Sequence, residues 1–418
     1  MSLHVMDPVP DEINVVDLPV DGVLPPELTG RYFRNGPNPR PGELSRHWFG
    51  GAGMIHGVRL NNGRAEWYRN RWVKSDTSTG NTSLRRHAGH LYALMEQAPP
   101  VEIDLELDTV GDCTFDGRLT GGMTAHPKDD VETGELHFFG YAAHPPYLTY
   151  HRLDAAGNLV QSLPIEVPGP TMMHDFAITR GHIVWLDLPV VFDLELVGKG
   201  MPYVWSDTYG ARIGVMAKGG GPVRWFDVEP SYVFHVGNAS EDAQGRIVLD
   251  AVRYDRDGFR ELWPVIGRHR ELRSVVHRWT LDPATGRAAE QPLDDRPVEF
   301  PTLHDGYTGR PNRYLYAVGM NEILKYDAAT GAVGSDPLGD DWRAGEAVFV
   351  PGAEAAAEDD GWLISITTHT DPGVPSRLLV HDATALSAGP VATVQLPRRV
   401  PIGFHGTWIP DPITPSGE

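Results

Sequence analysis

An all-β chain wound as a propeller of several four-stranded blades is the fold this sequence predicts. Three observations point there. Short runs rich in Val, Ile, Leu, Trp and Tyr recur along the chain, and one kind of Asp-to-Gly turn recurs between them. The 46 Gly and 36 Pro among 418 residues suit many short elements joined by tight turns, not long helices.

The strand-like runs are Ile183–Leu188, Arg246–Tyr254, Arg313–Val318, Glu346–Val350, Trp362–Thr367 and Arg377–His381, each bounded by Gly, Pro or Asp. The turns are Asp130–Gly134, Asp154–Asn158, Asp242–Gly245, Asp282–Gly286 and Asp327–Gly331. In each, the Asp side chain can accept from the backbone two residues on, and the Gly supplies the positive φ of a hairpin exit. Their spacing is irregular, so the sequence suggests repeated antiparallel sheets without a fixed period. A chain this long with no linker fits one propeller domain over 1–418 better than one sandwich. Helical candidates reduce to a short turn at Pro25–Leu28 and a surface loop at Ala353–Glu358.

Charge and composition exclude several functions. With 56 Asp+Glu against 36 Lys+Arg the net charge is −20, so the basic footprint of a nucleic-acid binder is missing. A single cysteine, Cys113, excludes an internal disulfide and any Cys-based zinc or iron–sulfur site. Met1–Asp21 carries Asp7, Asp11, Glu12 and Asp17 and no apolar core, so no secretory signal is expected. The most hydrophobic stretch, Ile183–Val197, is interrupted by Asp187, Asp193 and Glu195, which argues against a membrane span. The expected location is cytoplasmic.

Of the 18 histidines, four stand among apolar or small neighbours: His126 before Pro127, His174 in Met172–Phe176, His235 in Val233–Asn238 and His405 in Gly403–Trp408. A histidine so placed is costly unless its ring nitrogens are bonded or metallated. Singly, each reads more readily as a satisfied core or loop histidine than as a ligand. None forms an i, i+4 pair, and their separations put them on different strands or blades, which could meet only at a propeller axis. Glu96, Glu299 and Glu346 also sit in mostly apolar surroundings, where a carboxylate needs a partner such as an imidazole N–H. No GxSxG elbow, P-loop or GxGxxG motif is present.

Nine blocks in order carry a wider signal: Arg31–Pro39, His47–His56, Leu94–Glu96, Thr124–Pro127, Met173–Thr179, Phe234–Asn238, Glu299–Pro301, Gly345–Pro351 and Gly403–Trp408. In these, nearly end to end, the chain resembles the carotenoid cleavage oxygenases. The resemblance implies a seven-bladed propeller with loops and a few short helices capping an iron-bearing face. It implies that His126, His174, His235 and His405 bind Fe(II). Glu96 would support His174, Glu299 would support His235 and Glu346 would support His405, leaving His126 without such a partner. The implied reaction is oxidative cleavage of a conjugated C=C bond by O₂ to two carbonyl products, in an apolar tunnel that needs no acid–base pair. Met95, Phe192, Tyr203 and Trp205 are candidates for the tunnel wall.

Two departures from the family pattern bear on the expectation. Gly50 and Ala52 stand where acidic residues usually flank the glycines, which predicts an altered turn in an early-blade hairpin. Stilbene-cleaving members usually place Lys immediately before the first supporting Glu, to contact a phenol oxygen; here that residue is Met95. Methionine cannot donate to a phenol, so an apolar carotenoid or apocarotenoid is favoured over a stilbene or phenylpropanoid alkene. Because polyenes partition into bilayers, Leu188–Val197 with Val204 and Trp205 is a candidate for peripheral membrane contact.

Overall fold

The computed structural model describes residues 3–43, 47–262 and 273–411. Seven antiparallel sheets follow one another around an axis as the blades of a propeller. Blade 2 is Ser83–His87, His90–Leu94, Val101–Ile103 and Thr109–Asp112. Blade 3 is Lys128–Asp129, Leu136–Tyr141, Leu148–Leu153 and Leu159–Ile165. Blade 4 is Ala177–Ile178, His182–Asp187, Arg212–Ala217 and Arg224–Asp227. Blade 5 is Tyr232–Glu241, Ile247–Tyr254, Ser274–Asp282 and Arg287–Pro292, and blade 6 is Glu299–Thr302, Tyr314–Val318, Glu322–Asp327 and Ala332–Pro337. The first strand of each blade borders the axis, where inner strands of neighbouring blades touch.

Both ends of the described chain close the ring. Blade 1 contains Gly30–Pro37, Gly53–Asn61 and Arg64–Trp72, yet its inner strand is Gly406–Pro410, paired with Gly30–Arg34. Blade 7 contains Val348–Pro351, Gly361–His369, Arg377–Asp382 and Ala392–Gln395, and its outer edge is Val20–Gly22 from near the N-terminus. This double closure carries His405 to the axis.

All six sequence-predicted runs overlap observed strands. The Asp-to-Gly turns form as expected. In blade 5, Asp242 Oδ1 accepts from the backbone N–H of Gln244 and of Arg246, each at 2.9 Å, and Gly245 takes φ +74°. The same chemistry recurs where Asp282 accepts from Ala284 N–H at 2.8 Å. Facing sheets bury their apolar sides against one another, and the largest cluster runs from Phe139 in blade 3 to Tyr326 in blade 6 around the fully buried Trp185 and Trp279.

Three features differ from the expectation. Arg256–Leu262 is an α-helix whose first turn is capped by Asp255, with Oδ1 accepting from Gly258 N–H at 2.7 Å. Seven residues with a central glycine carry too little periodicity to announce a helix. The Gly50–Ala52 region is no hairpin tip: Trp48–Gly50 form a single 3₁₀ turn leading into Gly53–Asn61. Within Leu188–Val197 the apolar residues divide, with Leu188 and Val190 buried and Leu194 and Val197 exposed at 75% and 53%; Trp205 is buried. Among the described residues no helix is long and apolar enough to cross a membrane.

Candidate metal centre

Each blade sends one residue toward the same place on the axis. His126 precedes the inner strand of blade 3, His174 that of blade 4, and His405 the closing strand of blade 1. His235 lies within the inner strand of blade 5, where the pairing register skips between Val233 and Val236 and releases it from the ladder. Glu96 follows the second strand of blade 2, Glu299 opens blade 6, and Glu346 stands two residues before the inner strand of blade 7.

Asp175 ties three of these segments together. Its carboxylate accepts from its neighbour Phe176 N–H at 2.7 Å, from Val236 N–H at 2.8 Å, and from the Lys128 ammonium at 2.8 Å. The loops bearing His174, His235 and His126 are thereby held in one frame. In the sequence Asp175 is simply the residue that follows His174. Its bridging role depends on backbone groups that a sequence does not reveal.

The imidazoles converge. His126 Nε2 lies 3.0 Å from His174 Nε2, which lies 3.3 Å from His235 Nε2. Ligand atoms of His126, His235 and His405 all fall within 4.8 Å of one another. The outer nitrogens are taken: His235 Nδ1 is 2.6 Å from Glu299 Oε2, His405 Nδ1 is 2.9 Å from Glu346 Oε1, and His174 Nδ1 contacts Glu96 Oε1. His126 has no carboxylate partner among the described residues. A carboxylate accepting the Nδ1 proton leaves Nε2 as a bare lone pair. Lone pairs crowded this closely repel unless a cation lies between them. With metal–imidazole bonds of about 2.1 Å, ligands at right angles would stand about 3.0 Å apart. The donor set therefore fits one metal ion.

Electrostatics favour the neutral ring at His126 and His235 and oppose it at His174. Burial, reinforced by the three other imidazoles, holds His126 well below the ordinary histidine range. Burial also lowers His235, against the pull of Glu299. On His174 burial acts in the same sense, but the Glu96 carboxylate outweighs it and raises the ring. Burial pushes Glu299 upward, yet His235, Tyr254 and the Phe300 N–H together bring it below the usual carboxylate range.

Groups beyond the seven complete the frame. Tyr254 donates to Glu299 Oε1 at 2.7 Å, Tyr141 donates to Glu96 Oε2 at 2.5 Å, and Gly406 N–H donates to Glu346 Oε2 at 2.6 Å. Neither tyrosine was foreseen, because a strand tyrosine reads as ordinary core. Phe300 holds φ +51°, rare for an aromatic residue, and this lays its ring over His235 at 5.1 Å. Tyr254→Phe keeps the ring and removes one bond to Glu299. It is expected to weaken metal retention by about fivefold, measured by competition with a chelator.

The cluster lies between two cavities. One, of about 380 Å³, is walled by Trp48, Phe49, Met95, Met172, Phe234, Phe300 and Phe404, and His174, His235 and His405 reach it. The other, of about 470 Å³, carries more polar groups, among them His126, Arg85, Lys128, Asp175 and Asp305. Of the four wall candidates only Met95 lines the apolar cavity. Tyr203 stands behind that wall, where its hydroxyl accepts from Gln97 Nε2 at 2.5 Å. Phe192 packs on Tyr203, and Trp205 packs on Phe259. These three are large residues on a ribbon, Val190–Phe192 with Tyr203–Trp205, whose pairing turns them against the wall from outside.

Fold and site together define a propeller protein in which histidines from four blades meet near the axis as a donor set that fits a metal ion, three of them reaching an apolar cavity. Comparison with known proteins is consistent with that class. The family model described as "Retinal pigment epithelial membrane protein" matches residues 6–80 and 74–410. A carotenoid cleavage oxygenase of Mycobacterium tuberculosis (strain CDC 1551 / Oshkosh) is 39% identical, with 96% of each chain covered. A structure of Synechocystis apocarotenoid oxygenase superposes with a TM-score of 0.88 at 26% identity over 98% of both chains. Pseudomonas brassicacearum lignostilbene dioxygenase superposes with a TM-score of 0.88 at 28% identity, over 97% of this chain and 98% of its own. The chain belongs to the carotenoid cleavage oxygenase family and is an enzyme of that oxygenase class.

Proposed function

We propose that this protein is a non-haem Fe(II)-dependent dioxygenase that cleaves a conjugated C=C bond of a carotenoid or apocarotenoid. The observation that carries the reading is the convergence of His126, His174, His235 and His405 beside a cavity walled by aromatic and methionine side chains. Four neutral imidazoles suit Fe(II) and cancel none of its charge. Bound iron would supply the activation of O₂. Both oxygen atoms end in the two carbonyl products, so no proton need be moved by a side chain.

The protein's own part is positional. Glu96, Glu299 and Glu346 fix the ring orientations of their histidines. Trp48, Phe49, Phe300 and Phe404 exclude water and hold a flat, conjugated chain beside the cluster. Met95 on that wall supports a polyene over a phenolic stilbene, since it offers no donor to a phenol oxygen.

Purified protein loaded anaerobically with Fe(II) is given apocarotenals and hydroxystilbenes with ¹⁸O₂. Labelled aldehydes from a polyene are expected. Release of benzaldehydes from the stilbenes, with every polyene untouched, would replace the substrate assignment by aryl-alkene cleavage. We further assign to this protein a cytoplasmic location with a peripheral membrane contact through exposed Leu194 and Val197. Liposome flotation should carry a fraction of the protein upward, and Leu194→Asp with Val197→Asp should reduce it. Recovery of all wild-type protein below the liposome layer would remove the contact.

A further inference from the structure

A guanidinium with no ion-pair partner among the described residues lines the apolar cavity. Arg343 ends the short strand Trp342–Arg343 beside blade 7, only 9% exposed, and lines the cavity with Val318, Met320 and Ala344. Its Nη1 donates to the carbonyl oxygens of Asp340 at 2.7 Å and Trp342 at 2.9 Å. Its Nε is buried with no acceptor. Among the described residues no carboxylate lies within 4.0 Å of the guanidinium, whereas Arg59, Arg212, Arg278 and Arg313 all have one. Asp340 and Asp341, its neighbours in sequence, are exposed and act on its charge only from beyond ion-pair distance.

A guanidinium remains charged under all ordinary conditions, and withdrawing it from water without an anion is costly. A guanidinium N–H donating to a carboxylate oxygen makes a charge-assisted hydrogen bond, about twice as strong as a neutral one. Here Nη1 is occupied by backbone and Nε is sealed from solvent, which leaves Nη2 as the unpartnered donor of a side chain on the wall of a cavity otherwise suited to a hydrocarbon chain.

We propose that Arg343 receives a carboxylate at one end of the substrate, which makes a polyene with a terminal acid group the preferred substrate class. The proposal rests on the reading of this cavity as the polyene site. The acid end supplies the missing counter-charge, and the aromatic walls hold the conjugated remainder.

The test uses three polyenes of equal length ending in a carboxylate, an aldehyde and a methyl group. Binding is read on metal-free protein by quenching of tryptophan fluorescence, since Trp48 lines the cavity. Cleavage is read separately on iron-loaded protein. Wild type should bind the acid about tenfold more tightly than the methyl-ended chain, as a charge-assisted pair allows. Arg343→Gln should bring that ratio close to one, and Arg343→Lys should keep an intermediate ratio. An unchanged ratio in Arg343→Gln, or a wild type that binds the acid no better than the methyl-ended chain, would overturn the proposal. An arginine-dependent preference without cleavage of any polyene would instead refute the dioxygenase reading and leave the carboxylate site standing.

Discussion

His405→Ala should yield a folded propeller that retains less than about a tenth of an equivalent of iron and cleaves no alkene. The side chain stands in the loop just before the closing strand, so its loss leaves the Gly406–Pro410 pairing with Gly30–Arg34 intact. What changes is the cluster. One of four ligands is gone, and Glu346 Oε1 loses its partner while remaining buried. Removing one member of a buried, hydrogen-bonded pair costs about 3–5 kcal/mol, or more than a hundredfold in an equilibrium constant. His174→Ala should behave alike, because Glu96 would keep only Tyr141. Iron content by elemental analysis, beside a thermal melt to confirm folding, checks both variants. Iron retained near one equivalent in either would break the assignment of that ligand.

Glu299→Ala should cost about 10–100-fold in iron affinity and in turnover, the range expected when the group orienting a metal-bound histidine is removed. Three donors meet on this carboxylate: His235 Nδ1 and Phe300 N–H on Oε2, and Tyr254 hydroxyl on Oε1. Alanine leaves all three without an acceptor and lets the His235 ring choose the other tautomer. Glu299→Gln should fall in between, at about tenfold, because its amide oxygen can take the Oε2 position while Tyr254 turns its hydroxyl to accept. Chelator competition for iron and steady-state rates under air would separate the three proteins. Equal affinity in all three would mean that Glu299 serves packing alone.

The fold was legible because its strands and turns are specified locally. A run such as Arg246–Tyr254 and a turn such as Asp242–Gly245 contain their own instructions, in alternating burial and in an Asp that bonds two residues ahead. Arg256–Leu262 escaped notice because seven residues and a central Gly258 give no helical period. The four histidines stood out by their apolar or small neighbours, but their meeting at one ion was implied only through the matching blocks, since it depends on ring closure by Gly406–Pro410 and on the register skip around His235. Asp175, Tyr141 and Tyr254 were silent for a related reason. Each acts through one long-range bond, and composition around them is that of an ordinary strand or loop. Phe192, Tyr203 and Trp205 show the converse: aromatic character alone does not say which side of a wall a ring occupies.

X-ray absorption at the iron edge of the Fe(II)-loaded protein in solution tests the four-histidine centre most directly. The expected spectrum has a first shell of four imidazole nitrogens at about 2.1 Å, with the outer-ring scattering that imidazoles give. A first shell with two or fewer imidazoles, or one dominated by carboxylate oxygen, would contradict it.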